Sequence, residues 1–282
     1  TATTLAAQAI LIGGTEPQKA EILPAIASGT AATLALSEAS GDWDLTAISA
    51  AATADDKGYK LSGTKTFVAD LPAAQWIIAS VKIDGEVALA IIPKSSIPDS
   101  ALRRETAIDE TKRSYALNLD RVLIGPDSIM DREKTPAALD HIHLAANLLG
   151  AAEMTGACQA CIDYTVDYLK TRKQFGKFIG SFQALKHPTV DAFVDYQKAR
   201  SLLYTAAFEF GTQGTGEIAV RMAKAQADKA LSYAADRSIQ FHGGFGFTYD
   251  CDAQLYRRRA IWGASLHGDA VYHRGKLGGL LL

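Results

Sequence analysis

The feature that most constrains this chain is a set of long helical patterns that begins after Pro136. From 139 to about 170 apolar residues recur at intervals of three and four, the spacing that lines one face of an α-helix. Gly180 and Pro188 punctuate the next stretch, and segments 189–210, 217–241 and 255–282 continue the pattern. Four long helical segments joined by short loops pack as antiparallel neighbours, which predicts a four-helix bundle. In the third segment, small residues at 219, 223, 227, 230 and 234 let helices approach closely and read as core.

The text ahead of the bundle is different. Residues 5–28 carry a helical pattern (Leu5, Ala6, Ala9, Ile10, then Ile22, Leu23, Ile26) broken by Gly13-Gly14 and Pro17. From about 33 to 124 the pattern becomes strand-like: Tyr59, Leu61, Gly63 and Phe67 alternate with polar residues. Apolar runs 75–82 and 86–92 are joined through Asp84-Gly85, a strong hairpin signal because glycine tolerates positive φ. Residues 55–58 read as another turn and 114–119 as a further alternating strand, so the region is expected to be antiparallel β.

The 282 residues suffice for one large or two modest domains. Hydrophobic residues at 48% and charged residues at 21% suit a soluble globular protein. A net charge of −2 gives no global pull toward nucleic acid or an anionic membrane, so an anionic ligand must be held by local basic groups. No apolar run reaches the roughly 20 residues of a membrane span. No signal peptide is visible, and a cytoplasmic location is expected. The chain opens inside a helical pattern, so a leader or earlier segment could have been lost. Cys158 and Cys161 sit three apart on one helix face without a second ligand pair; they and Cys251 read as small core residues, with no metal site expected.

Several residues suggest a diphosphate ligand. Arg172 ends one helix just before a glycine-containing turn, where a guanidinium can pair bidentately with a pyrophosphate. Gly243 and Gly244 lack Cβ, so backbone N–H groups can approach phosphate oxygens closely. Gln183 and Gln240 each offer a donor and an acceptor suited to amide-like cofactor groups. The plainer readings are a solvated helix-end cation and an ordinary helix C-cap.

The run 172–183 (Arg-Lys-Gln-Phe-Gly-Lys-Phe-Ile-Gly-Ser-Phe-Gln) resembles a signature of the acyl-CoA dehydrogenase family. So does 240–247 (Gln-Phe-His-Gly-Gly-Phe-Gly-Phe), about two helices later. Segment 63–68 (Gly-Thr-Lys-Thr-Phe-Val) is similar to the family's β segment along the flavin ring, and Ala35-Leu36-Ser37-Glu38 to the segment entering that domain. The resemblance covers essentially the whole chain in the family's order. It implies a mostly α fold in three parts: residues 1–32 as the remnant of an amino-terminal helical domain, 33–125 as an antiparallel, barrel-like β domain, and 126–282 as a carboxy-terminal four-helix bundle. The other amino-terminal helices, which help wall the acyl pocket in relatives, are largely absent from this sequence.

The resemblance further implies FAD, held by Arg172, Phe175, Gln183, Gln240, Gly243 and Gly244, with Ser37, Phe67, Val68 and Ala69 along the flavin. The arginine and Gln-Gly-Gly segments would reach FAD from neighbouring subunits, hence an oligomer: a homotetramer, or an α2β2 heterotetramer with a second family member. The implied reaction takes an acyl-CoA thioester to its trans-2-enoyl form, with electrons passing on to an acceptor protein. A base removes the α-proton, and a carboxylate serves because an apolar pocket raises its pKa.

At the base the sequence departs from the family. Tyr-Glu-Gly-Thr is replaced by Leu266-His267-Gly268-Asp269, which puts His267 at the usual glutamate position. The alternative base position maps to Ala146, beside Asn147. Glu153, seven residues on along the same helix face, and Asp269 are the remaining carboxylates. A structural pairing of Glu153 with a basic residue, and a hydrogen-bonded helical His267, are the plainer readings; His242 reads as structural. Ala69 replaces a hydroxyl residue near flavin N5, Ala39 a proline, and Asp42-Trp43-Asp44 a Gly-Ser-Asp. The run 109–113 and the Leu-His-Gly-Asp ending look like bacterial dehydrogenases for steroid side chains or dicarboxylic and cyclic acids. Three readings result: a dehydrogenase subunit for a bulky or unusual acyl-CoA, a catalytically silent subunit completing a partner's FAD site, and a flavin-dependent monooxygenase relative.

Overall fold

The computed structural model describes residues 2–213 and 216–282, and the chain divides into two compact units, Thr1–Ala145 and Ala146–Leu282. The first unit opens with helices α1 (Ala2–Gly13) and α2 (Glu16–Ala27). The Thr15 N–H donates to the Gln18 side chain at 2.9 Å, and Pro17 sits in the first turn of α2, where a missing N–H costs nothing. Nine strands follow: β1 (Ala32–Ala35), β2 (Ala51–Asp55), β3 (Gly58–Ser62), β4 (Thr64–Ala69), β5 (Trp76–Ile83), β6 (Glu86–Pro93), β7 (Leu102–Arg104), β8 (Ser114–Asn118) and β9 (Leu123–Ile124). The hairpin expected at Asp84-Gly85 forms, with both residues at positive φ (53° and 87°), as a tight two-residue turn demands.

These strands make a six-stranded sheet, ordered β1-β5-β2-β3-β9 with β6 on the other side of β5, and a three-stranded sheet β4-β8-β7. The expectation of a purely antiparallel region needs one correction. β1 runs parallel to β5 from Ala32↔Trp76 to Ala35↔Ala79, and β2 meets β5 in parallel at Ala51↔Lys82. Turn residues report the direction of strands adjacent in sequence; β1 and β5 are joined by no single turn, so their direction left no local signal. Leu61, Ile77, Val81, Ile92 and Leu117 are sealed in the core of this region, while Ala6, Ile10, Leu139 and Ile142 form a second cluster beneath α1 and α2.

Helix α3 (Thr135–Thr171) crosses the division between the units. The second unit continues with β10 (Lys173–Gln174), β11 (Lys177–Phe178), α4 (Gln183–Gln213), α5 (Glu217–His242), α6 (Ala253–Ser265) and α7 (Ala270–Leu281). Ala219, Ala223, Ala227, Ala230 and Ala234 are all buried, so the small-residue stripe is core. Cys158 and Cys161 are buried too, and burial pushes both thiols up to about 12. α4 begins at Gln183, ahead of Pro188, instead of after it. The expected single helix over 255–282 is two helices, because His267 (φ 58°) and Gly268 (φ 108°) leave the helical region between α6 and α7. His267 therefore stands in a corner, not in a helix. Among the described residues no helix is long and apolar enough to cross a membrane.

Candidate functional site

Two helix ends shape the candidate site, both in the second unit. α3 finishes at Thr171, and the Arg172 N–H still donates to the Tyr168 carbonyl at 2.9 Å, so the arginine leaves the helix with its side chain exposed. The chain then reverses through the β10–β11 hairpin, whose tip residue Phe175 has φ 54° and is 87% exposed. Lys173 and Lys177 lie over the Phe178 and Phe182 rings at 4.7 and 5.8 Å, which stiffens the hairpin without burying it. The other end is that of α5. Gly243 adopts φ 63°, ψ −145°, a conformation that favours glycine, and its N–H donates to the Gln240 carbonyl. The turn therefore is a helix cap, and it is also open: a Cβ on Gly243 or Gly244 would meet nothing within 4 Å.

Both ends face one hollow of about 940 Å³, lined among others by Arg172, Phe175, Gln240, Gly243 and Gly244. Gln183, exposed at the start of α4, lies between the lining residues Phe182 and Ala184 without lining the hollow itself. Tyr168 and His242 also line it. The His242 ring stacks on Tyr168 at 4.1 Å and Tyr164 at 5.0 Å, and its Nδ1 bonds the Ser238 carbonyl at 2.7 Å. Burial lowers the His242 pKa against the pull of that carbonyl, which keeps the ring neutral as a packed spacer between α3 and α5. The hollow thus combines an exposed guanidinium, a glycine turn with open space above it, and exposed aromatic faces. That donor set fits an anionic dinucleotide such as FAD: the arginine and the bare turn suit a diphosphate, and the aromatic rings suit a flat heterocycle. The resemblance implies that the arginine and Gln-Gly-Gly segments belong to neighbouring subunits; here they border one hollow of a single chain.

In the first unit, the Thr66 N–H donates to the Ser37 carbonyl at 2.9 Å, which ties the end of β1 to β4. The register of β4 against β8 shifts between Lys65 and Val68, and within that bulge Phe67 takes φ 55° and is 51% exposed. The Phe67 N–H is held by the Glu105 carboxylate at 3.0 Å, and the Ala69 carbonyl accepts from Thr33 Oγ1 at 2.7 Å. Val68 is sealed in the core, so only its backbone can face a ligand. Glu38 and Lys65, from the two motif segments of this unit, form a buried ion pair at 2.8 Å. Ser49 and the Ala50 N–H also donate to Glu38, and Lys65 reaches Ser80 at 3.0 Å. Burial raises the Glu38 pKa, but bonds from Lys65, Ser49 and Ala50 outweigh it and bring it to about 2.

None of Glu153, His267 and Asp269 lines the hollow. The Glu153 carboxylate pairs with Arg259 of α6 at 2.6 Å, the structural pairing with a basic residue that is its plainer reading. Asp269 caps α7, with one oxygen accepting the Tyr272 N–H at 2.8 Å. Ala146 and Asn147 are both buried.

Residues 145–276 match the family model described as "Acyl-CoA dehydrogenase, C-terminal domain". Over 123 residues, 44% of this chain and 38% of the relative, the chain is 42% identical to the acyl-CoA dehydrogenase IpdE2 of Mycolicibacterium smegmatis. It is 27% identical to the mitochondrial short/branched chain specific acyl-CoA dehydrogenase of Rattus norvegicus over 264 residues, 90% of this chain and 61% of that protein. The matches therefore span less than two thirds of these relatives. Among solved structures, the Tcur3481-Tcur3483 steroid ACAD G363A variant superposes with TM-score 0.84 at 28% identity, covering 99% of this chain and 75% of that one. The glutaryl-coenzyme A dehydrogenase glutaryl-CoA complex shares the fold, with TM-score 0.88 at 22% identity over 98% and 73% of the two chains. The helical unit therefore matches the carboxy-terminal domain of the acyl-CoA dehydrogenase family, and the fold of the chain is shared along its whole length with solved members of that family.

Proposed function

We propose that the chain is a subunit of an FAD-dependent acyl-CoA dehydrogenase that introduces a 2,3-double bond into a bulky or unusual acyl-CoA. The observation that carries this reading is the convergence of Arg172 and the bare Gly243-Gly244 turn on one hollow. Bound FAD supplies the hydride acceptor. The chain's own part is to neutralise the diphosphate with Arg172, admit it at Gly243 and Gly244, and bond the cofactor through Gln240. Gln183, Phe175 and the Ser37 and Phe67–Ala69 segments are proposed as further contacts. The steroid ACAD, named for two chains, supports a steroid-derived acyl group and a partner chain, which we propose as a family member in an α2β2 assembly; a cytoplasmic setting and an acceptor flavoprotein belong to the same proposal. The test is bleaching of the flavin absorbance by acyl-CoA thioesters, with the enoyl-CoA product identified. A flavin-loaded assembly that no acyl-CoA reduces would sink the reading.

A second reading, in which this chain builds the FAD site and a partner chain brings the base, is favoured by one observation. The carboxylate of Glu153 is engaged by Arg259 at 2.6 Å and does not line the hollow. Activity that appears only on co-expression with a family member carrying an intact glutamate would select this reading.

A further inference from the structure

Lys224 lies within α5 and is 1% exposed. Its ammonium donates to the Gly263 carbonyl at 3.1 Å and to the Gly268 carbonyl at 2.9 Å. The first belongs to α6 and the second to the corner before α7, so one side chain spans the break between the two helices. Its stem passes Gly150 of α3, where an added Cβ would stand 3.6 Å from the lysine Cε. The same corner is pinned twice more: Asp228 of α5 accepts the Ala270 N–H at 3.1 Å, and Asp269 accepts the Tyr272 N–H. Packing alone does not call for an ammonium here, since an apolar side chain of similar length fills the space without the cost of desolvating a charge. Burial pushes Lys224 down to about 8 against the pull of Asp228 and Asp269, so the site tolerates a strained cation where donors to two carbonyls are needed.

We propose that Lys224 is a positioning residue: by binding carbonyls on both sides of the α6–α7 corner it holds His267 in its left-handed conformation and sets where the imidazole faces. The residue does not line the hollow; it acts through the backbone of the corner, at the place where the family resemblance puts the base. The inference deepens the dehydrogenase reading and rests on it only in its kinetic consequence.

The test compares Lys224→Met with Lys224→Gln, which restores an N–H donor, in the FAD-loaded protein assembled with its partner chain if one is required. Lys224→Met is expected to keep its flavin, shift the imidazole NMR signal of His267, and slow acyl-CoA-driven flavin reduction by about a hundredfold at saturating substrate, the scale of a small misplacement of a reacting group. Lys224→Gln is expected to recover part of both. A folded, flavin-loaded Lys224→Met with the His267 signal and the reduction rate of the unmodified protein would overturn the proposal. Loss of fold in both variants would also overturn it, assigning Lys224 to core stability. If no acyl-CoA reduces the flavin of the unmodified protein, the dehydrogenase reading fails, while the His267 signal still decides whether Lys224 sets the corner.

Discussion

The hollow at the ends of α3 and α5 and the corner between α6 and α7 lie in the same helical unit, yet they treat their key residues in opposite ways. At the hollow, Arg172, Phe175, Gln240, Gly243 and Gly244 are exposed, and the glycines have empty space where a Cβ would go. At the corner, Lys224 is sealed, Asp228 and Asp269 are engaged by backbone N–H groups, and His267 is held at φ 58°. An exposed, uncommitted surface is what a site for a large cofactor needs. A locked corner is what a site for one accurately placed group needs. The hollow is the proposed cofactor side, and the corner holds His267 where the family resemblance puts a glutamate, so the two can be separated by experiment.

The largest expected effect lies outside both regions and serves as their baseline. Glu38→Ala leaves the Lys65 ammonium buried without its carboxylate and should destabilise the protein by about 3–5 kcal/mol in denaturant unfolding. The pH dependence follows the same pair. Because the folded pKa of Glu38 is lowered to about 2, its contribution is fully present above the unfolded value near 4.5 and is lost as pH falls from there toward 2. Glu38→Ala should flatten that acid limb. A variant that melts like the unmodified protein would show that the motif glutamate is not structural.

At the hollow the effect should fall on binding and spare the fold. Arg172→Gln removes a charge-assisted bond, so FAD affinity should drop by roughly 10- to 100-fold, read by flavin fluorescence titration. Gly244→Ala is sharper. Nothing stands within 4 Å of the new methyl group, so stability should stay within about 0.5 kcal/mol. Yet the methyl group projects where a phosphate would approach, and affinity should fall by about tenfold. If both variants bind FAD normally, the hollow is not the cofactor site.

The contrast between the regions also explains what the sequence could reveal. Asp84-Gly85 betrayed a hairpin because two consecutive positive φ values need such residues, and Arg172 and Gly243-Gly244 stood out because their chemistry is local. The corner was hidden. Segment 255–282 keeps a helical apolar rhythm through the break; the available signals were Gly268 and Asp269, a breaker followed by a capping residue. Lys224 was hidden for a similar reason, as one polar residue among the buried Val220, Ala223, Ala227 and Leu231. Which carbonyls its ammonium reaches depends on where two other helices end, and no spacing within α5 encodes that. The parallel pairing of β1 with β5 escaped in the same way.

The smallest expected effect tests the carboxylates left as candidate bases. Glu153 and Arg259 are 2.6 Å apart, but their side chains are 36% and 27% exposed, so the pair is screened by water and should contribute less than about 1 kcal/mol. Glu153→Gln keeps the shape and removes the charge. With the carboxylate committed to Arg259, the expected outcome is unchanged FAD content, unchanged melting within about 1 kcal/mol, and unchanged flavin reduction by acyl-CoA in the assembled protein. If instead reduction stops while FAD stays bound, Glu153 is the base, and the substrate must displace Arg259 when it binds. Should reduction persist in Glu153→Gln and also in Asp269→Asn, neither carboxylate abstracts the proton. The base is then left to His267 or to the partner chain, and co-expression with an intact family member separates those two.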